Sequence, residues 1–269
     1  MSEDSRIVII GGGRMGEAIA AGLVAAGAVE PSQVVVADHN APRRAVFESH
    51  GITAVVDGDE AVGSADIVIF AIKPQVASAA IAHLAEHIRP GAVVVSIVAG
   101  LSCNRIEAML RDGSSVVRVM PNTPALVGEG MSVVSGGKYA SDAEVTEIVA
   151  LFESLGKAIM LDERLQDAAS AISGSGPAYV AIFIDALARA GVRHGLTRDT
   201  AQTLAAQTLR GTVELLERTG KHPEELADAV SSPGGTTIAA IEALEAGGLR
   251  ATIAAAVSAA ERRSKELGA

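Results

Sequence analysis

The chain has 269 residues, a formal net charge of −10 at pH 7 and 49% hydrophobic residues. This length allows one large domain or two of ordinary size, and the hydrophobic content is ample for buried cores. The acidic balance, the 2% aromatic content and the lack of any block of Lys or Arg argue against nucleic acid or an anionic membrane as a partner.

The cysteine content and the start of the chain bear on its compartment. The single cysteine, Cys103, excludes an intramolecular disulfide framework. No charged segment followed by an apolar run opens the sequence, so we expect no secretory signal and a cytoplasmic protein. The longest apolar stretches, such as Ile67–Ile72, are strand-sized and too short to span a bilayer.

The first motif lies in Arg6–Gly27, where an apolar run leads into Gly11-x-Gly13-x-x-Gly16 and then into a helical stretch of small residues. This order is typical of a dinucleotide-binding turn. The first glycine permits a tight turn, the second lets a pyrophosphate approach, and the third lets the helix pack closely on the sheet. A glycine turn with a purely structural role is the alternative.

Short apolar runs alternate with amphipathic helical stretches as far as Leu161, which predicts a parallel βαβ sheet covered on both faces. The predicted strands are Ile7–Ile10, Val34–Ala37, Ile67–Phe70, Val93–Ile97 and Val116–Val119, with weaker ones near Met131–Ser135 and Ala158–Leu161.

One pattern within this half imitates a metal site. The segment His83-Leu-Ala-Glu86-His87 has the H-x-x-E-H spacing of some zinc proteases. On a helix, however, the apolar neighbours form the buried stripe and leave His83, Glu86 and His87 facing solvent. We therefore predict an ordinary helix surface here and no metal site in the chain.

Helical periodicity replaces the alternation after Asp162, which predicts an all-α second domain. We place the domains at residues 1–161 and 162–269. The stretch Ala178–Ala190 is apolar nearly all round, and a helix of that kind must be buried. Because about a hundred residues of thin helices have little core to bury it in, we expect it to pack against its copy in a dimer.

A second motif, Ser231-Ser-Pro-Gly-Gly-Thr-Thr237, separates two helical patterns. Proline at the first helical position needs no N–H partner, and the glycines let a ligand approach the main chain. The helix N-terminus that follows favours a carboxylate or a phosphate. The motif therefore indicates an anion site, with an ordinary loop between helices as the alternative.

Six segments, taken together and in this order, resemble the pyrroline-5-carboxylate reductase family over the whole chain. They are GGGRMGEAIAAGL from Gly11, SADIVIFAIKPQ from Ser64, VVSIVAGLS from Val94, VVRVMPNTPALVGEGMS from Val116, SGSGPAYV from Ser173 and HPEELADAVSSPGGTTIAAIEALE from His222. The resemblance implies an α/β Rossmann-type dinucleotide-binding domain followed by an all-α dimerisation domain. It also implies an active site between one subunit's nucleotide domain and helical segments that include the partner's.

The resemblance implies site residues in both domains. For the cofactor it indicates Gly11, Gly13, Arg14, Met15 and Gly16, then Ala71, Ile72, Lys73 and Pro74, and finally Ala99 and Gly100. For the substrate it indicates Asn122, Ser175, Ser232, Gly235, Thr236 and Thr237. Thr237 is the candidate catalytic residue, with its hydroxyl nearest the imine nitrogen, and a helix-capping threonine is the alternative. Glu163 resembles a family position near the cofactor.

Asp38 bears on which cofactor is used, and we count Asp38 and His39 as cofactor-binding. An acidic residue at the end of the second strand accepts hydrogen bonds from the ribose of NAD and repels a 2′-phosphate. Many members of the family that the chain resembles prefer NADPH and carry a small polar residue near this position. Arg43 and Arg44 follow and can offset the repulsion. We therefore expect NADPH, with NADH as the alternative.

The implied activity is NAD(P)H-dependent hydride transfer to the cyclic imine 1-pyrroline-5-carboxylate, giving L-proline. The implied partners are this small-molecule substrate and a second copy of the chain. Two alternatives stay open: another imine or β-hydroxyacid reductase of the same architecture, and a non-catalytic NADP-binding regulator. Against the β-hydroxyacid enzymes, the helical half has no lysine-centred motif of the kind they use.

Overall fold

The computed structural model describes residues 5–268, so Met1–Asp4 and Ala269, the extreme ends of the two predicted domains, lie outside the described part. Eight strands form one sheet with the order β3-β2-β1-β4-β5-β6-β7-β8. The strands are β1 (Ile7–Ile10), β2 (Val34–Ala37), β3 (Thr53–Val55), β4 (Ile67–Phe70), β5 (Val93–Ser96), β6 (Ser115–Met120), β7 (Gly130–Gly136) and β8 (Gly156–Met160).

The first six strands run parallel, which confirms the predicted Rossmann-type sheet. The strand β7 pairs antiparallel with β6, and β8 then pairs parallel with β7. The sequence pattern indicates β7 and β8 but not β3, because β3 is only three residues long and none of the three is buried. The apolar strands β1 and β4 are buried along their whole length, since helices cover both faces of the sheet.

Within residues 5–268, seven α-helices accompany the sheet, besides three short 3-10 helices: α1 (Arg14–Ala25), α2 (Ala41–Ser49), α3 (Asp59–Val62), α4 (Pro74–Leu84), α5 (Cys103–Glu107), α6 (Asp142–Glu153) and α7 (Gln166–Ser173). The H-x-x-E-H segment straddles the end of α4. As predicted, His83, Glu86 and His87 are exposed while Leu84 and Ile88 are buried. Among residues 5–268, no group of three or more His, Cys, Asp or Glu is arranged to hold a metal ion.

Contacts divide the chain into two units, which we describe separately. The described residues up to Ser175, together with those from Ala260 onward, form the first unit, and Gly176–Ala259 forms the second. This division falls later than the predicted boundary after Leu161, because α7 packs on β7 of the sheet. The second unit contains α8 (Gly176–Arg193), α9 (Arg198–Thr219), α10 (Pro223–Ala229), α11 (Thr236–Ala246) and most of α12 (Leu249–Gly268).

The apolar helix α8 remains largely uncovered within the single chain. Val180 and Ile182 are 50% and 70% exposed, and Ala188 is the one residue of α8 recorded as buried in the described structure. α8 packs mainly against α9. Since exposed apolar faces mark interaction surfaces, α8 is the candidate interface of this unit.

The helical run Glu163–Arg193 corrects the expectation that the longest apolar stretches are strand-sized and too short to span a bilayer. By length and composition it could cross a membrane, with a mean hydropathy of 1.4 and 11% of its most apolar window buried. The sequence pattern indicated only its part Ala178–Ala190 as a helix that is apolar nearly all round. One such helix is weak evidence for a membrane span, because the core helices of soluble proteins have the same composition.

Candidate active site

The predicted cofactor residues of the first unit meet at the carboxyl ends of neighbouring parallel strands. The chain leaves β1 for β2 on one side and later returns to β4 on the other, which creates a topological switch point between β1 and β4. Ligands of open α/β sheets bind in the crevice at such a point. Gly11 follows β1 and Ala71 follows β4, and the Ala71 N–H donates to Ile10 O at 2.8 Å.

The three glycines of the fingerprint have three different environments. Gly11 has a φ of +105°, and a Cβ there would lie 2.5 Å from Ala71 O. A Cβ on Gly16 would overlap the Gly11 carbonyl oxygen, so Gly16 allows α1 to approach the turn closely. A Cβ on Gly13 would meet no atom within 4 Å across the described structure. The protein's own packing therefore explains Gly11 and Gly16, whereas the space beside Gly13 is open in the described structure.

Arg14 and Met15 open α1 directly after this turn, with Gly13 as the N-cap residue. Because the first N–H groups of a helix have no partner inside it, the start of α1 offers donors to a phosphate. Arg14 is exposed at the same place. The turn and the helix start together fit the pyrophosphate of a dinucleotide.

Asp38 follows β2 and contacts the glycine turn. Its Oδ2 accepts a hydrogen bond from the Gly12 N–H at 2.7 Å, and its Oδ1 accepts one from the Asn40 N–H at 2.8 Å. His39 is exposed beside it. The sequence singled out Asp38 for a contact with ribose, and the structure adds two main-chain contacts that the sequence did not reveal.

Two arginines at the start of α2 surround the same place. Arg43 Nε donates to Gly12 O at 2.6 Å, and its Nη2 pairs with Glu17 at 2.6 Å. Arg44 Nη1 donates to the main-chain oxygen of Asp38 at 2.8 Å. A cavity of about 560 Å³ opens beside them, lined by Asp38, His39 and the apolar Ile72 among others. Its volume is in the range of ordinary ligand pockets.

The segments after β4 and β5 complete this edge of the sheet. Lys73 is the N-cap residue of α4 and Pro74 is its first residue, while Ala71 and Ile72 lie between them and the strand. After β5, Ala99 is exposed and Gly100 has a φ of +74°. The predicted cofactor residues thus lie in the loops and helix starts that follow β1, β2, β4 and β5 at the carboxyl ends of these parallel strands.

A buried polar cluster lies next to the segment that follows β5, and the sequence patterns did not indicate its central residue, Arg118. Arg118 on β6 is 4% exposed. Its Nη1 contacts Glu163 Oε1 at 3.3 Å, and its Nη2 lies 3.6 Å from Asp167 Oδ1. Glu163 Oε1 also accepts a hydrogen bond from the Cys103 N–H at 2.8 Å, next to the loop of Ala99 and Gly100. The available signal was a lone arginine in the apolar strand VVRVM.

Gln166, the first residue of α7, is fully buried in the same cluster. Its Nε2 donates to Val133 O at 3.1 Å and to Ser135 Oγ at 2.9 Å, which fastens α7 to β7. In the part of the chain that the structure describes, Arg118 Nε and Gln166 Oε1 have no hydrogen-bond partner. The cluster is therefore sensitive to any further loss of a partner.

Burial raises the pKa of the Cys103 thiol from 9.0 to about 12, and the neighbouring Glu163 carboxylate adds to the rise. Because the folded protein favours the protonated thiol, the stability that depends on this thiol is fully present below the pKa of the unfolded chain. It is lost as the pH rises from there through about 12. We expect a thiol reagent at pH 8 to modify Cys103 at least ~100-fold more slowly in the native protein than in urea, because the thiolate is the nucleophile. Equal rates would contradict the buried, protonated thiol.

The substrate candidates of the first unit lie near the end of α7. Asn122 Nδ2 donates to Ser173 O at 2.9 Å, and Asn122 Oδ1 accepts from the Met131 N–H at 2.8 Å. Both ends of this amide are therefore oriented by main-chain partners. Ser175 is half-buried and its N–H donates to Ser170 O at 3.1 Å.

The remaining candidates lie in the second unit, in the turn between α10 and α11. The Gly235 N–H donates to Ser232 O at 2.9 Å, and Gly234 has a φ of +67°. Proline at the second position and a left-handed glycine at the third fit a type II turn. The expectation that Pro233 begins the helix is wrong, because this proline sits in the turn and α11 begins at Thr236.

Thr236 and Thr237 are the first two residues of α11, and Gly235 is the N-cap residue. No side chain within residues 5–268 caps this helix, so the donors of its first turn are left for water or a ligand. Thr237 is half-buried and its side chain does not occupy the N-cap position. Thr237 is thus the second residue of the helix and not its N-cap residue, and the first turn of α11 presents N–H and hydroxyl donors that suit a carboxylate.

Two protein-family models match this chain, one in each half. A family model described as pyrroline-5-carboxylate reductase dimerisation matches residues 163–267. A model described as NADP oxidoreductase, coenzyme F420-dependent, matches residues 6–100. The second match includes the glycine turn and the strand ends described above. The first match includes α8, whose apolar side chains are exposed in the single chain.

Individual relatives match over the whole length. A pyrroline-5-carboxylate reductase of Arabidopsis thaliana is 43% identical over 99% of this chain and 96% of its own length. Among solved structures, a Plasmodium falciparum pyrroline carboxylate reductase with NADP bound has a TM-score of 0.91 and 30% identity, with both chains covered completely. A Coxiella burnetii pyrroline-5-carboxylate reductase has a TM-score of 0.93 and 32% identity over 99% of each chain. The chain belongs to the pyrroline-5-carboxylate reductase family.

Proposed function

We propose that the protein reduces 1-pyrroline-5-carboxylate to L-proline, with NADPH as the hydride donor and NADH as an alternative donor. The observation that carries this proposal is the similarity to named reductases along the whole chain, with 43% identity over 99% of its length. In this proposal residues 1–161 bind the nucleotide, and residues 162–269 bind the substrate and form the dimer. The protein acts in the cytoplasm.

The nucleotide-binding residues act by position. The turn at Gly11, Gly13 and Gly16 lets the pyrophosphate approach the main chain, and the start of α1, with Arg14 and Met15, supplies donors to it. The loops of Ala71–Pro74 and of Ala99 and Gly100 border the rest of the cofactor. These residues fit the group, because a side chain on Gly13 would meet no protein atom within 4 Å in the described structure. When bound, the nicotinamide supplies the hydride.

The substrate-binding residues hold a carboxylate and an imine. The Thr236 N–H and the hydroxyl of Ser232 anchor the carboxylate at the start of α11. Gly235, whose own N–H closes the turn onto Ser232 O, lets the carboxylate approach the main chain. The Thr237 hydroxyl donates a hydrogen bond to the imine nitrogen, which makes the C=N carbon more electrophilic. Ser175 and Asn122 shape the substrate side of the first unit. Orientation and exclusion of water supply most of the rate, since hydride transfer needs little side-chain acid catalysis.

The homo-oligomer is built on a dimer in which the apolar face of α8 packs against α8 of the second copy. We expect Ile182→Lys to convert the assembly to monomers, because Ile182 is 70% exposed on α8 within one chain. Sedimentation of the variant measures this result. Ala28→Lys, an exposed position of the first unit, is the control and should sediment like the wild type. An unchanged assembly for Ile182→Lys would remove α8 from the interface.

The direct test of the activity is the oxidation of NADPH and of NADH, each with and without pyrroline-5-carboxylate. The proposal expects oxidation that depends on the imine and yields L-proline. Oxidation with a different cyclic imine or with a β-hydroxyacid, and none with pyrroline-5-carboxylate, would favour a related reductase. Nucleotide binding without any turnover would favour a regulator.

A further inference from the structure

Gly12, in the middle of the phosphate-binding turn, is held through both of its polar groups. Its N–H donates to Asp38 Oδ2 at 2.7 Å, and its carbonyl oxygen accepts from Arg43 Nε at 2.6 Å. A Cβ on Gly12 would lie 2.7 Å from Phe47 Cε2 and 3.2 Å from Asp38 Cβ. The turn therefore rests directly against the end of β2 and against α2, and two charged side chains fix its orientation.

Neighbouring main-chain N–H groups and helix starts stabilise the negative charge of Asp38. Its two oxygens accept from the main chain of Gly12 and Asn40, at 2.7 and 2.8 Å, beside the starts of α1 and α2. Positive helix ends and charge-assisted hydrogen bonds both stabilise a carboxylate. Arg44 contacts the main chain of Asp38, and Arg43 pairs with Glu17. The two carboxylates and two guanidinium groups at this place balance each other.

We propose that Asp38 and Arg43 are positioning residues that fix the phosphate-binding turn through Gly12, and that Asp38 acts on NADPH and NADH alike. The inference rests on the proposed function and deepens it. Both cofactors share the pyrophosphate that the turn binds, and they differ at the ribose 2′ position. A residue that acts through the turn therefore changes the affinity for both cofactors by one factor. A residue that reads the 2′ group changes their ratio.

The test uses ADP-ribose and 2′-phospho-ADP-ribose, which differ only in the 2′-phosphate, and measures their binding to the full-length protein by calorimetry. Asp38→Asn removes the charge and weakens the hold on Gly12. Arg43→Lys keeps the charge but loses the planar fork that reaches Gly12 and Glu17 together. We expect each variant to raise both Kd values about tenfold, as for the loss of one charge-assisted hydrogen bond. The ratio of the two Kd values should stay within about twofold of wild type, since one factor applies to both.

Glu48→Gln is the matched control. Glu48 is an exposed carboxylate on α2 outside the cavity lining, and its removal changes the charge of α2 without altering the contacts of Gly12 with Asp38 and Arg43. We expect both Kd values of this variant to stay within about threefold of wild type, as for a surface charge. In turnover, the positioning role predicts a higher KM for both cofactors with kcat retained, which general loss of folded protein would not give.

Two results would overturn the proposal. One is a shift of the Kd ratio by tenfold or more towards 2′-phospho-ADP-ribose in Asp38→Asn, which would make Asp38 the discriminating residue. The other is an unchanged pair of Kd values in Arg43→Lys, which would leave Gly12 without a positioning contact from Arg43. Because binding is measured without substrate, failure of the proposed reductase activity would be seen separately, as nucleotide binding without turnover.

Discussion

Glu163→Ala is expected to lower the free energy of unfolding by about 3 kcal/mol, because it leaves the buried Arg118 guanidinium without its nearest carboxylate. Arg118 is 4% exposed and contacts Glu163 at 3.3 Å, whereas Asp167 is farther away at 3.6 Å. The substitution also removes the acceptor of the Cys103 N–H. Urea unfolding at one fixed protein concentration measures the loss, since oligomers gain apparent stability with concentration.

Two variants separate the burial of a lone charge from other causes. Arg118→Met removes the charge together with its need for a partner, so we expect it to cost less than Glu163→Ala. Glu153→Ala removes an exposed glutamate from the end of α6 and should stay within about 0.5 kcal/mol of wild type. A Glu163→Ala protein as stable as the Glu153→Ala protein would show that Arg118 does not depend on Glu163.

Thr237→Ala is expected to lower kcat/KM for the imine by about 100-fold with little change in melting temperature, because it removes one hydrogen bond made in the transition state. Thr237→Ser keeps the hydroxyl and should retain most of the activity. The melting temperature should hold because α11 begins with Gly235 as N-cap and without a side-chain cap in the described structure. Steady-state kinetics and thermal unfolding together measure the outcome.

The chain offers a threonine that does cap a helix as the control. Thr197 is the N-cap residue of α9, and its Oγ1 accepts from the Thr200 N–H at 3.3 Å. Thr197→Ala should cost about 1 kcal/mol of stability with kcat/KM retained. A Thr237→Ala protein that behaves like Thr197→Ala, with lost stability and intact turnover, would return Thr237 to a structural role.

Local sequence patterns predicted the parts of the fold that depend on interactions between residues close together in the chain. The apolar runs of β1 and β4 and the glycine turn between β1 and α1 are readable because each depends on neighbouring residues only. The strand β3 was not predicted because it is only three residues long, with Thr53 exposed and Ala54 and Val55 half-buried. The antiparallel pairing of β7 with β6 also lay outside the prediction, since strand direction depends on the path of the whole connection.

The site shows the same division. The glycines and the carboxylate after β2 could be located from the sequence, but the partners of Asp38 could not. Its bond to the Gly12 N–H joins residues 26 positions apart, and that between Arg118 and Glu163 joins residues 45 apart. Such pairs follow from how the strands are placed side by side. The turn at Pro233 was misjudged for a simpler reason, because proline suits both the first turn of a helix and the second position of a β-turn.

Transfer of a hydride to the imine carbon of pyrroline-5-carboxylate can be followed with NADPH that is deuterated at the transferred position of nicotinamide C4. After incubation with the protein and the imine, we expect L-proline with one deuterium on the ring carbon next to nitrogen that was the C=N carbon. Proline without deuterium, or NADPH oxidation at the same rate without the imine, would contradict this transfer.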